Sequence, residues 1–570
     1  MKKPRTVSLK TPFEQQLLTC EIPFEDYPRP QLKRNSYICL NGGWELSVEG
    51  RSGVTDLGKI TVPFPPESRI SGIDRITMPD ETLMYSRRFV IPDGFLSDKI
   101  LLHFGACDQY TEVFVNGRSV GKNIGGYLPF SFDITGFAVC GENEIKVCVS
   151  DPIDPELPYG KQTMKRGGMW YTNTSGIWQT VWLESVPKNH IEKLRFTSTL
   201  DSVHIEVFGG EDKKELSIQT PNGQLNYSFS GDSIDIKIEN PTNWTPENPY
   251  LYSFTLASGE DFVQSYFALR TVEIKNSRIC LNGRPYFFHG LLDQGYFSDG
   301  IFTPATPEGY KNDIIQMKAC GFNMLRKHIK LEPDLFYYYC DKYGMVVFQD
   351  MINSGKYSFF VDTALPTVGL RRGISHRATN RRKEMFYNTS LSIVDTLYNH
   401  PSVCYYTVFN EGWGQFSADR CYSDLKAADK TRVWDATSGW FNGSLSDVQS
   451  KHIYFMPVKL KKKGGRPLVL SEFGGYSCKI KEHSFNLDKT YGYRYFNDNE
   501  RFETALIALY DNEIIPCIKN GLDAAVLTQV SDVEDETNGL LTYDRAVLKV
   551  DKDKMMALTE RLKTAFEETL

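Results

Sequence analysis

Two acidic residues follow runs so apolar that an ionisable neighbour needs a reason. Val403-Cys404-Tyr405-Tyr406-Thr407-Val408-Phe409 leads into Asn410-Glu411, and Pro467-Leu468-Val469-Leu470-Ser471 leads into Glu472. Strands of this kind lie in a packed interior, where a carboxyl must find a partner or a reaction. Other apolar runs also end in polar residues: His289 and Asp293, Arg326 and His328, Gln349 and Asp350, Ser438 and Trp440, His452 and Tyr454, Gln529 and Asp532. Two carboxyls facing each other across a pit are what glycosidic-bond hydrolysis requires. One protonates the leaving oxygen and the other attacks or supports the oxocarbenium-like carbon. Trp413 and Trp440, on the loops that follow, suit the C–H faces of a sugar ring.

These residues converge only if their strands run parallel with the same end up. After residue 274, short apolar runs alternate with stretches of 3.6-residue period, the pattern of a parallel α/β fold. Strands are read at 286–291, 322–327, 344–349, 403–409, 433–438, 451–455, 467–471 and 523–529. Eight strands predict a (β/α)8 barrel, whose active site lies at the carboxyl ends of the strands. Thr306-Pro307-Glu308 opens a helix, and Gly321 and Gly344 follow two helices as C′ residues. The long loop at 351–380 carries Ser354-Gly355-Lys356-Tyr357 and Arg371-Arg372, and so long a loop on the catalytic face is read as functional.

Upstream the period is two. Leu83 to Ile91, Lys99 to Phe104 and Thr111 to Val115 read as strands, and Asn116-Gly117 marks a hairpin, so this part is predicted to be a β-sandwich. Trp170, Trp178 and Trp182 are read as its core. From about 190 to 273, alternation at 203–207 and 234–238 and a Pro-rich loop at 244–249 suit a small immunoglobulin-type sandwich.

Composition excludes other classes. With 41% hydrophobic and 24% charged residues, the 570-residue chain can bury a core and is not disordered as a whole. Its 65 basic and 71 acidic side chains, with no long basic run, argue for neither nucleic acid nor a membrane surface as partner. The N-terminus lacks the apolar core of a signal peptide and no span is long enough to cross a bilayer, so a soluble cytoplasmic protein is expected. Twelve scattered cysteines, with no Cys-x-x-Cys, are read as small hydrophobes without disulfides. No His/Asp/Glu spacing suggests a metal, and neither metal nor cofactor is expected.

Phe409-Asn410-Glu411-Gly412-Trp413, followed by Leu470-Ser471-Glu472-Phe473-Gly474-Gly475, resembles glycoside hydrolase family 2, the β-galactosidases, β-glucuronidases and β-mannosidases. Leu40-Asn41-Gly42-Gly43-Trp44 and the run 176–182 are similar to the edges of its sugar-binding jelly-roll domain, and 281–290 and 321–326 to its barrel entry. The resemblance implies a jelly-roll β-sandwich over 1–187, an immunoglobulin-like β-sandwich over 188–273 and a TIM barrel over 274–570. It implies Glu411 as general acid/base and Glu472 as nucleophile of a retaining double displacement. Asn410 would bind the sugar 2-hydroxyl and Tyr454 the nucleophile carboxylate. Arg326, Asp350, Trp413, Trp440, His452 and Asp293 complete the substrate-binding candidates.

Three departures narrow the reading. Asn538-Gly539-Leu540-Leu541 lacks the lysine of the Asn-x-Lys-Gly element found in β-glucuronidases, and Val526 to Asp532 lacks the tryptophan that floors many family sites. Leu291 to Tyr296 replaces the usual Asn-x-His-Glu, which counts against magnesium. The expected activity is removal of a terminal β-D-galactosyl residue from a small glycoside or oligosaccharide. An α-L-arabinosyl, β-galactofuranosyl, β-mannosyl or β-glucuronyl unit is the alternative, and a non-catalytic carbohydrate-binding protein is the reading from another class. Family habit adds a possible homo-oligomer.

Overall fold

The computed structural model describes residues 5–365, 378–440 and 444–570; Arg371 and Arg372 fall outside them. Alternation builds the first part. In Gly42–Gly50, Trp44, Leu46 and Val48 point inward and their neighbours outward. Strands of this kind form an antiparallel six-stranded sheet, from Gly53–Val62 at one edge to Arg118–Ile124 at the other. Facing it is a four-stranded sheet of Tyr37–Cys39, Val181–Val186, Lys99–Phe104 and Phe130–Asp133. Asn116 (φ 50°) and Gly117 (φ 77°) are both left-handed, the backbone that a two-residue hairpin demands. A second sandwich follows, with three strands (Ile191–Ser198, Ser202–Gly209, Ser233–Lys237) against four spanning 213–267.

The expected tryptophan core of the first sandwich is corrected. Val181 and Leu183 take the inner face of their strand, so Trp182 points away and stacks on His103 at 4.8 Å. Trp178 packs instead on Phe302, 5.0 Å away, and Trp170 on Trp413, 4.9 Å away, both across the seam with the barrel.

Eight parallel strands, all but the sixth buried on both faces, make the third part: β1 Phe288–Asp293, β2 Met324–Lys327, β3 Val346–Asp350, β4 Val403–Asn410, β5 Val433–Ser438, β6 Gln449–Ile453, β7 Leu468–Gly474 and β8 Leu522–Thr528. Their order is β5-β4-β3-β2-β1-β8-β7-β6. No ladder joins β5 to β6, so the barrel is nearly closed, and a cavity of about 330 Å³ lined by Asp435, Thr437, Gln449 and Arg466 opens at that seam. Phe288, Phe348, Tyr405, Val433, Val469 and Val526 fill the interior, and Trp244 from the second sandwich packs with them. Its indole donates to the Asp341 carbonyl at 2.8 Å. β1 starts two residues later than its apolar run because Arg284–Pro285 pairs with Arg278–Leu281 in a separate small sheet.

A buried carboxylate ties the pieces together. Glu184 accepts from Tyr27 Oη (2.6 Å), Arg34 Nη1 (3.0 Å) and Trp182 Nε1 (2.8 Å), and pairs with Arg29. Burial alone would raise its pKa, but the charges of Arg29, His103 and Arg34 outweigh that and hold it well below the carboxylate range. Arg34 continues to Asp261 of the second sandwich at 2.8 Å. Replacing Glu184 by alanine leaves the Arg29 guanidinium without its carboxylate and Arg34 with Asp261 alone, so about 3–5 kcal/mol of stability is expected to be lost. A lowered urea midpoint for the N-terminal sandwiches checks this, and an unchanged midpoint refutes it.

Candidate active site

The site stands at the carboxyl end of the barrel. β4 ends at Asn410, in register with Ser438 of β5, and the Glu411 N–H then donates to the Ser438 carbonyl at 2.8 Å. Glu411 turns at φ 52°, a left-handed conformation that costs a non-glycine residue about 1–3 kcal/mol and concentrates at functional sites. Gly414 (φ 72°) follows, and a Cβ there would stand 2.1 Å from the Ser354 carbonyl oxygen. On the opposite wall His452 of β6 is in register with Glu472 of β7. Register shifts on both sides, at Lys451/His452 and Leu470/Phe473, re-aim these two side chains.

Arg326 of β2, 1% exposed, is the hub. Its Nε donates to Asp350 Oδ1 (2.9 Å), Nη1 to Glu472 Oε1 (2.9 Å) and the Ser471 carbonyl (3.0 Å), and Nη2 to Asn410 Oδ1 (2.9 Å). The other Asp350 oxygen lies 2.8 Å from His328 Nδ1. Tyr454 Oη donates to Glu472 Oε2 and lies 2.9 Å from Thr528 Oγ1, while its ring stacks on Tyr493 at 4.1 Å. His452 Nδ1 is 3.0 Å from Glu411 Oε1 and 3.6 Å from Glu472 Oε2, and its Nε2 is 2.6 Å from Ser438 Oγ. An oxygen of Glu411, one of Glu472 and a His452 nitrogen all lie within 4.8 Å of one another.

That trio is the one group among the described residues whose atoms are close enough to hold a metal ion. Arg326 and Tyr454 already occupy both Glu472 oxygens, so the donor set suits proton and bond chemistry better than a cation.

The electrostatics separate the buried groups. Burial opposes ionisation of Glu472, yet the charges of His452 and Arg326 and the Tyr454 hydrogen bond hold its pKa down to about 2. Burial pushes Tyr454 well up, and the Glu472 charge adds to it, so the hydroxyl keeps its proton and donates. Burial likewise raises Asp350, against the pull of Arg326, and drives His328 to the neutral form.

Arg326, Asp350, Asn410, His452 and Tyr454 therefore meet at Glu411 and Glu472. Trp440, nearly buried, brings its ring to 6.2 Å from His452. Trp413 is buried in the wall, its indole donating to the Gly355 carbonyl at 2.7 Å. Asp293 joins a separate network, 2.7 Å from Lys327, which in turn holds Glu332 at 2.7 Å. His289 bonds Tyr510 at 3.1 Å and Asp532 bonds Lys549 at 2.6 Å, both away from the two glutamates. Tyr493, Thr528, Tyr171 and Glu536 were not singled out from sequence. The alternate tyrosines 491, 493 and 495 were the available signal for the first of these.

Residues 31–187 match the sugar binding domain of glycosyl hydrolases family 2, 189–270 match a further model of that family, and 272–545 match its TIM barrel domain. The chain belongs to glycosyl hydrolase family 2. A β-galactosidase of Aeromonas hydrophila is 26% identical over 461 residues, which is 72% of this chain and 41% of that protein. A putative β-glucuronidase of Formosa agariphila is 27% identical over 343 residues, 54% of this chain and 37% of that one. The family 2 chain thus spans about two fifths of the length of these curated relatives. A β-D-glucuronidase structure from Dictyoglomus thermophilum shares the fold with a TM-score of 0.73 at 19% identity, covering 94% of this chain and 98% of that one. Among the described residues no helix is long and apolar enough to cross a membrane.

The depressed Glu472 pKa fixes a pH dependence. Its folded value near 2 lies below the unfolded value of about 4.3, so its stabilisation is complete above about pH 4.3 and fades as pH falls towards 2. The stability gap between the native chain and Glu472→Gln should be constant above about pH 5 and should shrink below pH 4 in denaturant titrations. A gap that is flat down to pH 2.5 contradicts the assignment.

Proposed function

We propose that the chain is a retaining exo-glycoside hydrolase that removes a terminal β-D-galactosyl-type sugar from a small glycoside or oligosaccharide. Glu472 is the nucleophile and Glu411 the general acid/base in this reading. The observation that carries it is the approach of the two carboxylates to within 4.8 Å. Retaining enzymes keep their carboxyls about 5–5.5 Å apart, whereas inverting ones leave about 6.5–9.5 Å for a water. The β-galactosidases among the relatives favour the galactosyl choice. A cytoplasmic location, self-association and the domain limits 1–187, 188–273 and 274–570 go with the reading, on family habit and charge pattern.

The chemistry runs in two steps. A Glu472 oxygen attacks the anomeric carbon while Glu411 gives its proton to the glycosidic oxygen, and the aglycone leaves as an alcohol. The resulting ester has lost the Glu472 charge. Glu411, now a carboxylate, takes a proton from water, whose oxygen attacks the anomeric carbon and releases the sugar with its configuration kept. Arg326 and Tyr454, bonded to the two Glu472 oxygens, orient the nucleophile and receive its charge again on departure. Asn410 spends its carbonyl on Arg326 and leaves its amide NH2 for the sugar 2-hydroxyl. His452, anchored by Ser438, is a positioning residue for Glu411.

Glu472→Gly should abolish turnover of p-nitrophenyl β-D-galactopyranoside, and azide should restore it with an α-galactosyl azide as product. Glu411→Ala should slow cleavage of poor leaving groups by about 10²–10⁴-fold while sparing the 2,4-dinitrophenyl glycoside in the first step. A native chain inert towards a full panel of p-nitrophenyl glycosides would favour a carbohydrate-binding role instead.

A further inference from the structure

The segment 161–172 of the N-terminal sandwich, whose short strands Gln162–Thr163 and Tyr171–Thr172 pair in parallel, reaches the barrel's catalytic end. Gln162 pairs with Tyr171, the Tyr171 N–H donates to the Lys161 carbonyl at 3.1 Å, and the Thr172 N–H donates to Glu534 Oε1 at 3.0 Å. Tyr171 Oη donates to Glu536 Oε2, which Gln529 Nε2 approaches at 3.4 Å. Glu536 is 4% exposed, and its Oε1 has no hydrogen-bond partner among the described residues. The Lys161 ammonium lies 5.8 Å from the Tyr171 ring centroid and makes no ion pair or hydrogen bond among the described residues. Its charge nonetheless reaches both Glu536 and His328, and so does that of Glu472. A cation and a carboxylate oxygen, each with bonding capacity to spare, therefore flank Tyr171 within electrostatic reach of the nucleophile.

The charge balance decides what they receive. Arg326 gives four of its five N–H groups to Asp350, Glu472, the Ser471 carbonyl and Asn410. An anionic sugar would meet Glu472 and Glu536 together, with one ammonium already offset by Glu536. A neutral sugar can instead give a hydroxyl proton to Glu536 Oε1 and accept one from Lys161 Nζ. We propose that Lys161 and Glu536 bind two hydroxyls of a neutral glycone and so select neutral glycosides against uronides. This specificity rests on the hydrolase reading above.

The test compares p-nitrophenyl β-D-galactopyranoside with the β-D-galacturonide, which differ only at C6. The native chain should prefer the first. Lys161→Met, whose ammonium holds nothing in place, should lower kcat/KM on the galactoside by about 10- to 100-fold with an unchanged melting temperature. Glu536→Gln should lower it similarly and raise the uronide-to-galactoside ratio, whereas damage to the packing of the segment 161–172 would depress both substrates alike. A native preference for the uronide, a Lys161→Met loss confined to the uronide, or a ratio that neither variant moves overturns the assignment. Azide rescue of Glu472→Gly on the galactoside tests the parent reading separately. Rescue with an unmoved ratio sinks only the specificity, and absence of all turnover sinks both.

Discussion

One buried guanidinium holds the catalytic end of the barrel together. Arg326 joins β2 to β3 through Asp350, to β4 through Asn410 and to β7 through Glu472 and the Ser471 carbonyl. Taking such a group out of water costs several kcal/mol, and the cost is met only when its N–H groups find well-placed acceptors. The four acceptors are therefore fixed by the cation as much as the cation is fixed by them. Glu472 stays ionised in a place where burial alone would neutralise it, and Asn410 cannot turn its carbonyl towards a ligand.

The barrel does not complete its own pocket. β5 and β6 leave a gap, and the catalytic end is walled by residues from the first sandwich: Trp170 against Trp413, Trp178 against Phe302, Tyr171 on Glu536. The N-terminal sandwich is in turn held to the second by Arg34, which bridges Glu184 and Asp261. A shift of the segment 161–172 would thus move polar groups at the catalytic end of the barrel, so packing between domains and shape of the proposed sugar site are one mechanical problem.

What sequence could reveal follows from range. Seven of the barrel strands were legible because both faces of each are buried, which leaves apolar runs with polar ends, whereas β6 alternates buried and partly exposed residues. Glu411 and Glu472 were legible for the same reason. Asp293 carried the same signal, yet the parallel register sets it beside Lys327, and that neighbour takes its charge; register is invisible in a strand read alone. Trp413 followed Glu411 in sequence but turned into the wall, because the left-handed step at Glu411 and Gly414 redirects the chain. Lys161 and Glu536 are 375 positions apart and come to flank Tyr171 only when the segment 161–172 packs on the barrel, so no local pattern announces them.

In the proposed mechanism the same geometry lets two residues of one type hold opposite tasks. The Glu472 side chain is 6% exposed and has a guanidinium on one oxygen and a tyrosine hydroxyl on the other, so proton binding there would break two strong bonds. The Glu411 side chain is 17% exposed and, among the described residues, has His452 as its side-chain hydrogen-bond partner. Solvent access to Glu411 is also what a hydrolytic second step needs, since the attacking water must arrive beside the group that deprotonates it. The left-handed backbone at Glu411 is part of this arrangement. A residue that continued β4 in extended form would point into the packed barrel wall, and the strained turn lifts the carboxyl to the mouth of the pit instead. Difference in neighbours, set by strand register and one strained residue, thus does the work that a difference in residue type would do elsewhere.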